Sequence, residues 1–127
     1  MYNLMIDMVK DMVIIELSGS LSKEQIDEYV FALQKVTNKY ESKIFSIIIL
    51  ANRLHPIAQQ NIPNFERAAE ILLSWANKIA VVNGNRTLTL YQMKRIETEV
   101  RKKLNADTPV MRFRTRKEAF NFMLDCT

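Results

Sequence analysis

The feature that most constrains this fold is a short, almost continuous apolar run, Lys43–Leu50, between two segments with helical periodicity. Such a run is typical of a strand that is buried on both faces, as in the middle of a parallel sheet. Parallel strands require crossover connections of a dozen or more residues, which are usually helices. The run therefore predicts an α/β fold built from strand–helix–strand units.

The helices are indicated by apolar residues that recur every three or four positions, and their starts by capping signals. Ser22 and Gln25 have the spacing of a capping box, in which each side chain bonds a free backbone N–H. The same spacing recurs at Thr89–Gln92 and at Thr115–Glu118, which predicts two later helix starts. Asn61–Pro63 supplies another start signal, since proline is favoured in the first helical turn.

Strand-like segments alternate with these helices. Leu4–Met8 and Met12–Leu17 form an N-terminal strand pair around a turn at Lys10–Asp11, and Lys78–Val82 and Val110–Arg114 follow the second and third helices. The segment from Ala51 to Asn61 is predicted to be a loop. The resulting order, ββαβαβαβα, predicts a mostly parallel sheet of about four to five strands with about four helices, in one domain that spans residues 1–127.

Composition places the chain among soluble globular proteins. It has 127 residues, of which 48% are hydrophobic and 25% are charged. No apolar stretch approaches the roughly 20 residues of a membrane-spanning helix, so we expect no membrane insertion. The single cysteine, Cys126, cannot form an internal disulfide, and the N-terminal segment lacks the pattern of a signal peptide. We therefore expect a cytoplasmic protein.

Positive charge is concentrated in the second half of the chain. Residues 64–127 contain twelve Lys and Arg against seven Asp and Glu, whereas residues 1–63 contain six against seven. Clusters of this kind bind phosphates or acidic protein surfaces, although the interleaved Glu97 and Glu99 also suit an ordinary solvated helix. Because few aromatic residues accompany the cluster, we do not expect nucleic acid as its ligand. The candidate anion-binding residues are Arg86, Lys94, Arg101, Arg112, Arg114 and Arg116.

Three segments follow one another in a recognisable order. Val13–Leu21 leads into the first helix, Ile79–Val82 is a buried strand, and Met111–Thr115 precedes Glu118 and Ala119 of the last helix. In this order and spacing the chain resembles the STAS, or anti-sigma-factor-antagonist-like, domain family over nearly its whole length. The resemblance implies a bacterial regulatory domain that binds a protein partner through the region after the central strand.

The resemblance also implies a phosphorylation switch, with a serine or threonine just after the central strand. Ala51–Pro56 occupies that position here, and no Ser, Thr or Asp occurs from Ile47 to Leu73. Since no hydroxyl of this loop can accept a phosphate, the chain looks like a branch of the family that is not switched at the usual position. The predicted partner- or ligand-binding residues are Asn52, Arg53 and His55 for polar contacts, and Leu54 and Ile57 for apolar contacts.

The sequence offers little support for catalysis. His55 is the one histidine and follows the central strand, but nucleophilic catalysis also needs a serine or cysteine and an orienting carboxylate, and neither is nearby in sequence. A metal site needs three or four ligands, and one histidine with one cysteine leaves only scattered acids. We therefore predict no enzymatic activity, no metal and no cofactor.

The function predicted from the sequence is thus a non-catalytic, STAS-like interaction module with a protein partner. The alternative is a carrier of a small apolar or anionic, lipid-like molecule between the helices and the sheet. The seven methionines favour this alternative, because thioethers adapt to irregular apolar guests. The exposed face and edge of the N-terminal strand pair would also allow two copies of the chain to pair.

Overall fold

The structure is a computed structural model that describes residues 1–125, and Cys126 lies outside them. One five-stranded sheet, with strand order β1-β2-β3-β4-β5, forms its centre. The strands are β1 (Tyr2–Asp7), β2 (Met12–Gly19), β3 (Ser46–Leu54), β4 (Lys78–Val82) and β5 (Val110–Phe113). The helices are α1 (Lys23–Lys39), α2 (Ile62–Trp75), α3 (Thr87–Leu104) and α4 (Arg116–Asp125), and a 3-10 turn, Gln59–Asn61, precedes α2. The predicted α/β class and the element order ββαβαβαβα are confirmed.

The strand order determines which face each helix covers. β1 is antiparallel to β2, and each later strand is added parallel to the one before it. The connections between parallel strands are right-handed, and here each one leads to the next strand in the same direction across the sheet. The connecting helices α1, α2 and α3 therefore all pack on the same face of the sheet. The main core lies between them, and its fully buried side chains include Ile15, Ile47 and Tyr29.

Among residues 1–125, the opposite face of the sheet is covered by α4 alone. Ala119 and Met123 of α4 pack on Ile48 and Ala80, in a second and smaller core over the central strands. The N-terminal strand pair extends past this cover, so Met5 of β1 is 56% exposed. Within the described residues, β1 has a neighbouring strand on one side only, and pairing with a second copy along its other side stays a prediction.

Two of the three predicted capping boxes lie at helix starts. The Ser22 hydroxyl accepts a hydrogen bond from the Gln25 N–H, and the Gln25 side chain accepts one from the Ser22 N–H. At α4, the Thr115 hydroxyl accepts a hydrogen bond from the Glu118 N–H. The third prediction, a helix start at Thr89, is wrong. α3 begins two residues earlier, at Thr87, and Thr89 makes a different contact.

The central strand is longer than the sequence predicts at its carboxyl end. β3 continues through Leu54, whereas we expected a loop from Ala51 onward. A register shift opposite Glu16 and Ser18 allows this, because it brings Arg53 opposite Ser18 after Leu50 has paired with Glu16. Such a bulge keeps the polar end of the strand attached to the sheet. No helix within residues 1–125 is long and apolar enough to cross a membrane.

Candidate functional site

The carboxyl ends of β2, β3, β4 and β5 meet at one edge of the sheet. Open α/β sheets generally bind ligands at this edge. The segment Asn52–Gln60 is here called the edge loop. It begins with the last three residues of β3 and ends within the 3-10 turn that precedes α2. It contains all five residues that the sequence singled out as a binding loop.

The edge loop is joined to the end of β2. The His55 N–H donates a hydrogen bond to the Gly19 carbonyl oxygen, with an N···O distance of 3.0 Å. The His55 Nδ1 atom lies 3.1 Å from the Ser20 hydroxyl oxygen. Sequence spacing does not reveal this pair, because Ser20 and His55 are 35 positions apart and meet through the parallel pairing of β2 with β3.

Helix α3 holds the loop from its other side. The Thr89 hydroxyl is buried and donates to the Leu54 carbonyl oxygen at 3.1 Å. The Gln92 side chain accepts from the Ile57 N–H at 2.8 Å and donates to the Ile57 carbonyl oxygen at 2.9 Å. The Thr89–Gln92 motif that resembles a capping box therefore fixes a distant loop, and a long-range role of this kind leaves no pattern in local sequence.

Only part of the edge loop is available to a partner. Asn52 and Arg53 are exposed and His55 is half-buried. Leu54 and Ile57 are 0% and 4% exposed and belong to the main core, so they do not present the apolar contacts that we expected from them. The reason is that β3 extends to Leu54 and alternation turns its side chain inward. The exposed surface of the loop is therefore predominantly polar.

A glycine brings the next turn against the loop. Gly84 follows β4 with φ of +65°, and a Cβ atom at this position would lie 2.9 Å from the Asn52 carbonyl oxygen. Position 84 thus requires glycine for two reasons, its positive φ angle and its close approach to Asn52. The Asn83–Asn85 turn therefore packs directly against Asn52.

Four of the six candidate cations line one groove beside this turn. The groove, here called the basic groove, has a volume of about 360 Å³ and lies between the end of β5 and the start of α3. It is lined by Asn83, Gly84, Asn85, Arg86, Thr87, Leu90, Lys94, Arg112, Phe113 and Arg114. In the part of the chain that the structure describes, its lining thus has four basic residues and no acidic residue. The sequence identified these four cations, and the fold places them around a common space.

The other two candidate cations lie elsewhere, so the six do not form a single patch. Arg101 pairs with Glu97 at 2.9 Å and donates to the carbonyl oxygens of Ala106 and Thr108 beyond the end of α3. Arg101 therefore holds the segment that follows α3 against the last turns of the helix. Arg116 lies at the start of α4, where its guanidinium is 5.3 Å from the centre of the Phe120 ring. Neither residue lines the basic groove.

A small cavity lies within the main core, between the sheet and helices α2 and α3. Its volume is about 70 Å³, and its lining is apolar apart from the Tyr29 phenol and the ion pair of Glu97 with Arg112. An apolar cavity of roughly 150 Å³ takes up benzene. A lipid-sized guest therefore fits only if α2 or α3 moves outward from the sheet. The carrier alternative stays a prediction that requires this movement.

The carboxyl-end edge brings one hydroxyl and one imidazole together. The pair Ser20–His55 has the atoms of a nucleophile and a base, but the hydrogen bonds of His55 within residues 1–125 go to Ser20 and Gly19, and none goes to a carboxylate. A base of this kind normally depends on a carboxylate that orients the imidazole. In the same part of the chain, no three His, Cys, Asp or Glu side chains are grouped so as to hold a metal ion.

Comparison with known proteins gives no relative for this arrangement. No protein-family model, no curated protein and no solved structure matches the chain. The functional conclusion therefore depends on the geometry of the edge loop and the basic groove.

Proposed function

We propose that this chain is a non-catalytic, STAS-like regulatory module that binds a protein partner through the edge loop. The observation that carries the proposal is the way the loop is held. Hydrogen bonds with the Gly19 carbonyl oxygen and with the Thr89 and Gln92 side chains fix its backbone. Ser20 contacts the His55 side chain, and the other polar side chains of the loop face solvent. A surface that is ordered before binding loses little conformational entropy when a partner arrives, so its polar contacts are retained as affinity.

The exposed side chains determine the kind of partner. Arg53 offers a guanidinium that suits a carboxylate on the partner, since the two groups can form paired hydrogen bonds. Asn52 offers both a donor and an acceptor, and His55 can add a further hydrogen bond through its second ring nitrogen. The partner surface is therefore expected to be acidic and rich in hydrogen-bonding groups rather than apolar.

Regulation by phosphorylation at the usual position of the family is not part of this proposal. The edge loop carries no hydroxyl side chain. The Ser20 hydroxyl, which is exposed, contacts the loop from the end of β2. We place the module in a bacterial regulatory pathway, as the resemblance implies, and we expect it in the cytoplasm. Pairing of two copies along β1 is compatible with this role. The edge loop follows β3, and β2 separates β3 from β1 in the sheet.

The test is affinity capture from a lysate of the source organism, with the wild-type chain and an Asn52→Ala/Arg53→Ala/His55→Ala variant as baits. We expect a defined protein to be retained by the wild type and lost by the variant. A Lys23→Ala/Lys35→Ala variant, which changes exposed cations on α1, is the matched control and should retain it. Retention of the same protein by all three baits would contradict the assignment of the edge loop.

A further inference from the structure

The basic groove carries charge that the rest of the molecule does not neutralise. Arg86, Lys94 and Arg114 are exposed, and none of them belongs to an ion pair within residues 1–125. Glu97, the acidic residue that approaches the groove from α3, is already engaged by Arg101 and Arg112. Three cations therefore surround one concave space without a carboxylate in its lining, and such an arrangement attracts an anion.

The inner wall of the groove is rigid. Asn83 is 8% exposed, and its amide oxygen accepts a hydrogen bond from the Arg112 Nη1 atom at 3.1 Å. The second Nη atom of Arg112 pairs with Glu97. This guanidinium is thus fixed between two partners at the inner side of the groove. Gly84 and Asn85 complete the wall, and the Gly84 backbone packs closely against Asn52 on its other side.

The start of α3 adds to the positive potential. The helix has 18 residues and begins at Thr87 on the rim of the groove. Its N-cap residue, Arg86, makes no side-chain capping bond, and its first turn holds no acidic residue. The helix dipole is therefore uncompensated at this end, and it reinforces the attraction that the three cations already exert.

Part of the groove is apolar. Leu90 and Phe113 line it, and the Phe113 ring packs against Phe122 with the ring centres 5.3 Å apart. At about 360 Å³, the volume lies at the lower end of the range of small-molecule sites, which starts near 300 Å³. The groove therefore has more room than one phosphate group fills, and the additional room has an apolar wall.

From these features we infer that the basic groove binds a small organic phosphate monoester. Arg86, Lys94 and Arg114 contact the phosphate group, and Leu90 and Phe113 contact the organic group that is attached to it. This site is distinct from the edge loop, since none of Asn52, Arg53 and His55 lines the groove. The inference does not depend on the proposed protein partner, and either of the two can fail without the other.

The test is an NMR titration of the full chain with two probes, phenyl phosphate and inorganic phosphate. We expect the backbone amide signals of Gly84, Asn85 and Thr87 to shift, and phenyl phosphate to bind more tightly than inorganic phosphate because its ring removes apolar surface from water. Equal affinities would overturn the organic part of the inference and would assign the groove to free phosphate. Absence of shifts at these amides with millimolar probe would overturn the inference altogether.

Two double variants separate a built site from general electrostatic attraction. Lys94→Gln/Arg114→Gln removes two groove cations and is expected to weaken phenyl phosphate binding about tenfold or more, since each charge-assisted hydrogen bond is lost. Lys35→Gln/Lys102→Gln removes the same charge from α1 and the far end of α3, and binding should stay within about twofold because salt screens distant charges. Equal weakening by both variants would instead indicate a nonspecific basic surface. The same conclusion would follow if an oligonucleotide bound more tightly than phenyl phosphate and both variants abolished its binding.

Discussion

The Gln92 side chain holds the backbone of Ile57 through both of its amide atoms. Its Oε1 atom accepts from the Ile57 N–H at 2.8 Å, and its Nε2 atom donates to the Ile57 carbonyl oxygen at 2.9 Å. A side-chain amide that bonds both the backbone N–H and the backbone C=O of one residue replaces the hydrogen bonds that a neighbouring strand would provide. The edge loop leaves the sheet at Leu54, and this contact explains why its backbone nevertheless stays fixed.

Replacing Gln92 should therefore loosen the loop locally. Gln92→Met keeps the length of the side chain and the helix propensity but removes both hydrogen bonds. Since one hydrogen bond contributes about 0.5–1.5 kcal/mol, we expect the Ile57 amide to exchange with solvent about tenfold faster. Arg95→Met, at an exposed position on the same helix, is the control and should leave this rate unchanged. Equal exchange rates at Ile57 in the wild type and in Gln92→Met would show that other contacts hold the loop.

The two glycines of the chain allow strain and steric contact to be separated. Gly19 and Gly84 have nearly the same backbone conformation, with φ of +67° and +65°. A Cβ atom at Gly19 would meet nothing within 4 Å, whereas at Gly84 it would meet the Asn52 carbonyl oxygen at 2.9 Å. We expect Gly84→Ala to lower the free energy of unfolding by about 1–3 kcal/mol more than Gly19→Ala does, as measured by urea denaturation. Equal losses would mean that the turn moves away from Asn52 at little cost.

The Tyr29 phenol gives the fold a dependence on alkaline pH. Burial in the main core raises the pKa of Tyr29 well above its usual value of about 10, because the charged phenolate loses its hydration. The unfolded chain releases this proton near pH 10 and the folded chain retains it. The contribution to stability is therefore complete below pH 10 and is lost progressively as the pH rises above it.

Comparison of two tyrosine variants tests this dependence. We expect Tyr29→Phe to reduce the fall in the free energy of unfolding between pH 9 and pH 11, when each variant is denatured with urea at both values. Tyr91→Phe is the control, because Tyr91 is 60% exposed and its removal should leave the slope as in the wild type. Identical slopes in all three proteins would contradict the role of Tyr29.

The contact between Ser20 and His55 should not make Ser20 a nucleophile. Without a carboxylate to orient and stabilise the imidazole, we expect no labelling of the chain by a fluorophosphonate probe at neutral pH. The measurement is intact-protein mass spectrometry after incubation, with Ser20→Ala as the reference. A mass increase that appears in the wild type and is absent from Ser20→Ala would contradict the non-catalytic assignment.

The sequence predicted those features that depend on local patterns. The apolar run around Ile47 identified the central strand, and the capping box at Ser22 identified the start of α1, because both signals arise among neighbouring residues. Arg112 and Arg114 were predicted as anion-binding residues from the local concentration of positive charge, and both line the basic groove.

What the sequence did not predict depends on residues far apart in the chain. Leu54 looked like an exposed loop residue, but the register shift between β2 and β3 makes it part of a buried strand. Thr89 had the spacing of an N-cap, but its hydroxyl bonds the Leu54 carbonyl oxygen instead. Arg101 had the charge of an anion ligand but is occupied by carbonyl groups beyond α3.

The central claim, that the edge loop binds a protein partner through Arg53, is tested most directly by titrating the captured partner against two charge reversals. Arg53→Glu and Lys102→Glu change the net charge equally at exposed positions, one in the edge loop and one at the far end of α3. We expect Arg53→Glu to weaken binding by about tenfold or more, and Lys102→Glu to leave the dissociation constant within about twofold of the wild type. Equal dissociation constants for the wild type and Arg53→Glu would contradict the claim and would place the partner on another surface.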